Sequence, residues 1–158
     1  MYKILVGTFL ALMISPSIFA SEKAPNFTLK TDNGPITLSK LDNKVIYVDF
    51  WATWCTPCRK SFPWMNEMHN KYKKKGLKII AINLDDNSEN AKSFLKKYPV
   101  DFTIAYDPEG ETADNYKVKV MPSSYLIGKK QKIISTHFGF KNKDKDALEL
   151  EFKKALGL

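Results

Sequence analysis

Cysteine is scarce in this chain. Its 158 residues hold two, Cys55 and Cys58, both inside the stretch WATWCTPCRK that spans residues 51–60. Histidine is equally scarce, with only His69 and His137. A standard structural zinc site closes with a second tight ligand pair. Here the histidines fall 11 and then a further 68 residues beyond Cys58, so half of such a site is missing and no metal is expected. A purely structural staple is also poorly served. Closing so short a loop removes little chain entropy. A chain of this length with 44% apolar residues can build its core without a disulfide. The strongest remaining role for the pair is a working redox couple. The chain also lacks internal repeats, low-complexity tracts and long linkers, so a single domain is expected. Its net charge is +8, but the lysines are scattered over turns and helix ends with only sporadic aromatics. A nucleic-acid groove needs stacking platforms along a basic track, and none is present. The basic surface reads as solvated, with weak docking to an anionic partner as the sharper option.

The first twenty residues stand apart. MYKILVGTFLALMISPSIFA carries one charge, Lys3, then an apolar run from Ile4 to Met13, then small residues, Pro16 and Ala20. This pattern predicts a secretory signal peptide over residues 1–20, cleaved after Ala20. The alternative is an N-terminal membrane anchor, since the uncharged stretch Ile4 to Ser21 is just long enough to span. Either places the domain, residues 21–158, outside the cytoplasm, where disulfides persist.

The remaining pattern alternates strands and helices. Residues 25–41 suggest two short strands around a turn at Asn33-Gly34-Pro35, with Ser39 capping a helical turn. VIYVDF (45–50) and LKIIAINL (77–84) are continuous apolar runs that suit strands buried on both faces. Between them a helix is expected from about Cys55 to Lys75, kinked at Pro63 and closed by Gly76. A helix over 89–97, with Ser88 as its cap, should turn Ala91, Phe94 and Leu95 inward. A strand over 101–107 and a short helix over 109–118 follow. SSYLIG and QKIISTHFGF should pair as an antiparallel hairpin. A last helix from about Lys143 to Leu156 puts Leu148, Phe152 and Leu156 on one face. The fold class is α/β, a mixed central sheet covered by helices.

The cysteines should then sit at the carboxyl edge of the sheet, where sites in such folds gather. Cys55 falls at the helix N-terminus, where free N–H groups and the dipole favour its thiolate, making it the attacking sulfur. Cys58, one turn deeper, is placed to resolve a mixed disulfide. Pro57 suits the first turn because it has no N–H to leave unsatisfied. Trp51 and Trp54 could shield the sulfurs and offer an apolar platform, although Trp51 suits core packing equally well. Asp49 interrupts a strand expected to be buried. Burial is costly for a carboxylate and raises its pKa, which makes it a poor structural choice and a good general base for the deeper thiol. Met121-Pro122 precedes the hairpin, either as a plain strand edge or as a cis-proline.

VDFWATWCTPC, with Pro63 in the helix, resembles the thioredoxin superfamily. CTPCRKSFPWM, FLKKYPVDFTIAYDPEGETADNYKV and VMPSSYLIGKKQKII resemble more narrowly its exported TlpA/ResA-like branch. The resemblance covers nearly everything from Pro25 to the last helix. It implies a thioredoxin fold with an N-terminal β-hairpin and a central strand-helix insertion around residues 86–116. It implies that Pro122 is a cis-proline facing the cysteines, with Trp54, Pro57 and Met121 as substrate contacts. It further implies a monomeric thiol–disulfide oxidoreductase without a soluble cofactor. That enzyme would reduce disulfides of exported proteins, apocytochrome c among the candidates, with electrons from a membrane dithiol donor. An oxidase or isomerase of exported proteins is the alternative. A cysteine peroxidase, which the middle segment also resembles, would lack the CxxC helix start. Two departures matter. The branch often has Asn where Asp49 stands and Glu where Ser61 stands, so the acid has moved to the thioredoxin-type position. The chain also carries YKVKVMPSS in place of the glycine-rich signature of the classical cytochrome c maturation branch, which weakens that specific assignment.

Overall fold

The computed structural model describes residues 22–41 and 44–158. The signal peptide or anchor expected over residues 1–20 lies outside the described residues. Among the described residues no helix is long and apolar enough to cross a membrane.

Strands β1 (Thr28–Leu29) and β2 (Ile36–Thr37) form the small N-terminal hairpin. The main sheet holds β3 (Val45–Trp51), β4 (Leu77–Asn83), β5 (Thr103–Tyr106), β6 (Ser123–Ile127) and β7 (Ile133–Phe138), ordered β5-β4-β3-β6-β7. β3, β4 and β5 run parallel, whereas β6 and β7 are antiparallel. The helices are α1 (Thr56–Tyr72), α2 (Ser88–Lys97), α3 (Glu111–Asn115) and α4 (Lys145–Leu156). This is a thioredoxin fold, and α2, β5 and α3 are the expected central insertion.

The continuous apolar run of β3 is explained by two cores. Successive strand residues point to opposite faces. Val45, Tyr47 and Trp51 face α1, α2 and α4, where Phe62, Met65, Met68, Ala91 and Phe152 pack. Ile46, Val48 and Phe50 face the other side, covered by Phe27, Leu38, Ala113 and Tyr116. Trp51 sets its ring edge-on to Phe62, with centroids 4.6 Å apart. Deleting such a buried ring costs about 3–5 kcal/mol in comparable cores. Trp51 is therefore a core residue, and it does not form the platform beside the sulfurs.

Several element ends move by one to three residues, each for a local reason. Ser39 does not cap the turn at Leu38–Lys40; its N–H donates to Asn26 Oδ1 at 2.9 Å. Asn87, not Ser88, caps α2, its Oδ1 accepting the Glu89 N–H at 3.0 Å. α1 runs through Pro63 and ends at Tyr72, and a 3-10 turn then leads to Gly76 at φ 104. β5 begins at Thr103 because the Asp101 N–H is held by Asn66 Oδ1 of α1 at 2.7 Å. α3 stops at Asn115, with Lys117 at φ 56 just beyond it. Lys130 and Gln131 also take positive φ values, so β7 starts only at Ile133.

Candidate active site

The chain leaves β3 at Trp51 and turns sharply into α1. That turn is clamped by a residue the sequence did not single out. Asp85, buried just after β4, accepts the Thr53 N–H at 3.2 Å and the Thr53 hydroxyl at 3.0 Å. Asn83 Nδ2 donates to the same carboxylate at 2.8 Å. The only sequence signal was a pair of acids at the carboxyl end of a buried strand, which is too common to be informative.

Cys55 caps α1. Its Sγ accepts the Cys58 N–H at 3.3 Å, and its carbonyl accepts the Arg59 N–H at 3.2 Å. No acidic residue lies in the first turn of α1, so nothing there opposes negative charge on Cys55. Cys55 and Cys58 are joined as a disulfide. Cys55 is 5% exposed and Cys58 fully covered, which matches an outer attacking sulfur and a deeper one. Pro57 sits in the first turn. Ser61 is buried, and its hydroxyl donates to the Cys58 carbonyl at 2.8 Å. That bond is structural.

Asp49 is 1% exposed, on the same face of β3 as Tyr47 and Trp51 and therefore on the cysteine side of the sheet. Its Oδ2 has no hydrogen-bond partner. Burial pushes its carboxyl well above the usual carboxylate range, because the charged form has lost its water. That burial favours the protonated form of the group.

The Met121–Pro122 peptide is cis. Met121 joins Trp54, Cys55, Pro57, Leu84, Val118 and Val120 around an apolar groove of about 640 Å³ over the outer sulfur. Trp54 is 69% exposed at its rim. An exposed tryptophan beside a reactive centre is a typical anchor for a partner chain. Trp54→Ala is expected to lower kcat/KM toward a protein disulfide about tenfold. It should leave stability within about 0.5 kcal/mol, as other surface changes do. Steady-state reduction assays and a thermal melt check both parts. Equal kcat/KM for variant and parent would remove Trp54 from the docking surface.

Neither histidine lies in this groove. His69 stands on α1 near Phe102, and burial holds its imidazole below the usual range. His137 pairs with Glu151 on α4. Among the described residues, no group of three or more His, Cys, Asp and Glu side chains is placed to hold a metal ion.

The Redoxin family profile matches residues 19–151. The thiol–disulfide oxidoreductase ResA of Bacillus thuringiensis subsp. konkukian is 40% identical over 134 residues, 84% of this chain and 76% of that protein. ResA of Bacillus subtilis is 36% identical over 124 residues, 78% of this chain and 69% of that one. A crystal structure from Chlorobium tepidum, assigned as a thiol:disulfide interchange protein DsbE, superposes with a TM-score of 0.84 at 48% identity, covering 86% and 96% of the two chains. The chain thus belongs to the Redoxin family within the thioredoxin superfamily, as a thiol–disulfide oxidoreductase similar to ResA and working through Cys55 and Cys58.

Proposed function

We propose that this oxidoreductase works outside the cytoplasm as a reductant of exported proteins, with apocytochrome c cysteines among its substrates. The carrying observation is Asp49, a buried carboxyl with one unpartnered oxygen on the cysteine face of the sheet. A reductant must ionise its deeper thiol after the partner has docked and covered the outer one. A buried base of raised pKa meets that need. The likeness to ResA over most of the chain supports the same reading.

The steps follow from the arrangement. The reduced Cys55 thiolate attacks one sulfur of the partner disulfide, and the other sulfur leaves with its electron pair. Cys58 gives its proton to Asp49. The Cys58 thiolate attacks Cys55, the partner sulfur bonded to Cys55 leaves as a thiolate, and the Cys55–Cys58 disulfide seen in the structure remains. A membrane dithiol donor returns the pair to the reduced state. No soluble cofactor and no nucleic acid take part, and the monomer carries the whole site. Trp54, Pro57 and Met121 hold the partner against the cis-Pro122 loop.

Equilibration of the couple against thiol buffers of known potential tests the direction. The expected value is about −200 mV or lower. A value near or above about −130 mV, in the range of strong oxidants, would replace this reading with that of an oxidase or isomerase.

A further inference from the structure

One row of polar side chains crosses the sheet on the cysteine face. Asp49 of β3 lies opposite Ser124 of β6, and Ser124 lies opposite His137 of β7. Directly opposed residues of antiparallel strands share a face and stand about 5 Å apart at Cβ. Tyr47, two residues before Asp49 on that face, donates its hydroxyl to Ser124 Oγ at 2.7 Å. His137 Nε2 meets Glu151 Oε2 of α4 at 2.8 Å, and the Ser135 hydroxyl meets the same oxygen at 2.6 Å.

The row runs from a sealed end to an open one. Asp49, Tyr47 and Ser124 are buried, whereas the His137 and Glu151 side chains are 28% and 33% exposed. Ser124 accepts from Tyr47, which leaves its own hydroxyl hydrogen to be donated, and among the described residues Asp49 Oδ2 is an unpartnered acceptor of the same row. Burial raises the Tyr47 phenol far beyond its usual range, with the charges of Asp49 and Glu151 adding to the effect. Tyr47 therefore stays a neutral donor and fixes the Ser124 oxygen. Other titratable groups on this side include Cys55 and Cys58 at the start of α1, His69, Lys71 and Tyr72 toward its end, Glu149 and Lys153 of α4, and Tyr106 of β5. β4 puts only Ala81 beside Asp49.

We propose that Ser124, seated by Tyr47, and the His137–Glu151 pair form the path by which the Asp49 proton reaches solvent, on the α4 side and away from the docking groove. The inference rests on Asp49 taking the Cys58 proton. The Cys58 thiol becomes a thiolate as the Asp49 carboxylate becomes the acid. The thiolate forms the bond to Cys55 and breaks the bond from Cys55 to the partner, which departs as a thiolate. The proton then moves from Asp49 through the Ser124 hydroxyl to the His137 imidazole and on to water. The released partner takes one proton back from solvent. A docked protein closes the groove over Cys55, so this second exit matters most for bulky partners. Tyr47, Ser124 and His137 are positioning and relay residues; none touches the sulfurs in this scheme.

The test is the rate at which a preformed mixed disulfide resolves, followed from pH 5 to 9 by stopped flow with intact enzyme. Ser124→Val should slow resolution about tenfold with a protein partner and displace the pH profile. Ser124→Thr, which keeps the hydroxyl, should restore the parent profile. His137→Gln, a change at a partly exposed position outside the core, should slow resolution in the same direction. With a small soluble disulfide, which leaves the groove open, the Ser124→Val effect should shrink. A parent-like profile in Ser124→Val and His137→Gln overturns the path. So does a Ser124→Thr rate as slow as that of Ser124→Val, since only packing would then be at stake. Asp49→Asn, run alongside, separates the two failures. If it slows resolution while the row variants do not, the path alone falls; if it too is parent-like, the role of Asp49 falls with it.

Discussion

Cys58→Ser is expected to arrest the enzyme as a stable covalent complex with its partner. Cys55 caps α1, and the bond from the residue 58 N–H to its sulfur is a backbone contact that survives the substitution. The outer sulfur therefore keeps its stabilised thiolate and still attacks. The second step has lost its nucleophile, and turnover should drop by about 10³-fold or more. Incubation with a protein disulfide should give a one-to-one adduct on a non-reducing gel, released by dithiol. Cys55→Ser should give no adduct, because Cys58 is fully covered. An adduct on Cys58 in that variant would reverse the assignment of the two sulfurs.

Asp49→Asn should stabilise the oxidised protein while slowing its chemistry. The sign follows from where the protons sit. In the unfolded chain the carboxyl titrates near about 3.9. In the folded chain burial raises that value well above the ordinary one. Below both values each state is protonated and the group contributes nothing. As the pH climbs past the unfolded value, the unfolded state ionises first, so the native state is progressively disfavoured. The loss stops growing once the pH exceeds the folded value. The amide removes this effect. The variant's gain in Tm should be near zero at pH 3 and reach a few degrees at pH 8, at roughly 2–4 °C per kcal/mol for a chain of this size. A gain equal at both pH values would mean that packing, and not ionisation, is responsible. The same variant should resolve mixed disulfides about 10- to 100-fold more slowly at neutral pH with folding retained. Unchanged mixed-disulfide lifetimes would contradict its proton role.

Much of this arrangement is legible before any coordinates. The apolar runs at 45–50 and 77–84 are the central strands, and WCTPC starts the helix where the sheet ends. Asp49 stands out because charge inside an apolar run is expensive. Pro122 became informative only through the likeness to thioredoxins; its local sequence suits an ordinary strand edge just as well. What stayed hidden depends on distant residues meeting. Ser124 and His137 look like the polar half of an alternating hairpin. They join Asp49 only when β3, β6 and β7 are set in register. Asp85 likewise becomes a clamp only when β4 lies beside β3. The caps failed for a smaller reason. Asn87 and Ser88 are both good capping residues, and the choice is made by which side chain reaches the Glu89 N–H.

The first described residues are sewn to the end of the sheet remote from the redox pair. Ala24 donates to Gln131, Ile133 donates to Glu22, and Lys23 bridges Lys132, all at the start of β7, whereas Phe138 at its other end pairs with Ser123 beside Pro122. The domain thus has two poles, separated by the length of β3, which is roughly 20 Å at about 3.3 Å per residue. Glu22 therefore sits at one pole, and the sulfur-bearing groove opens at the other.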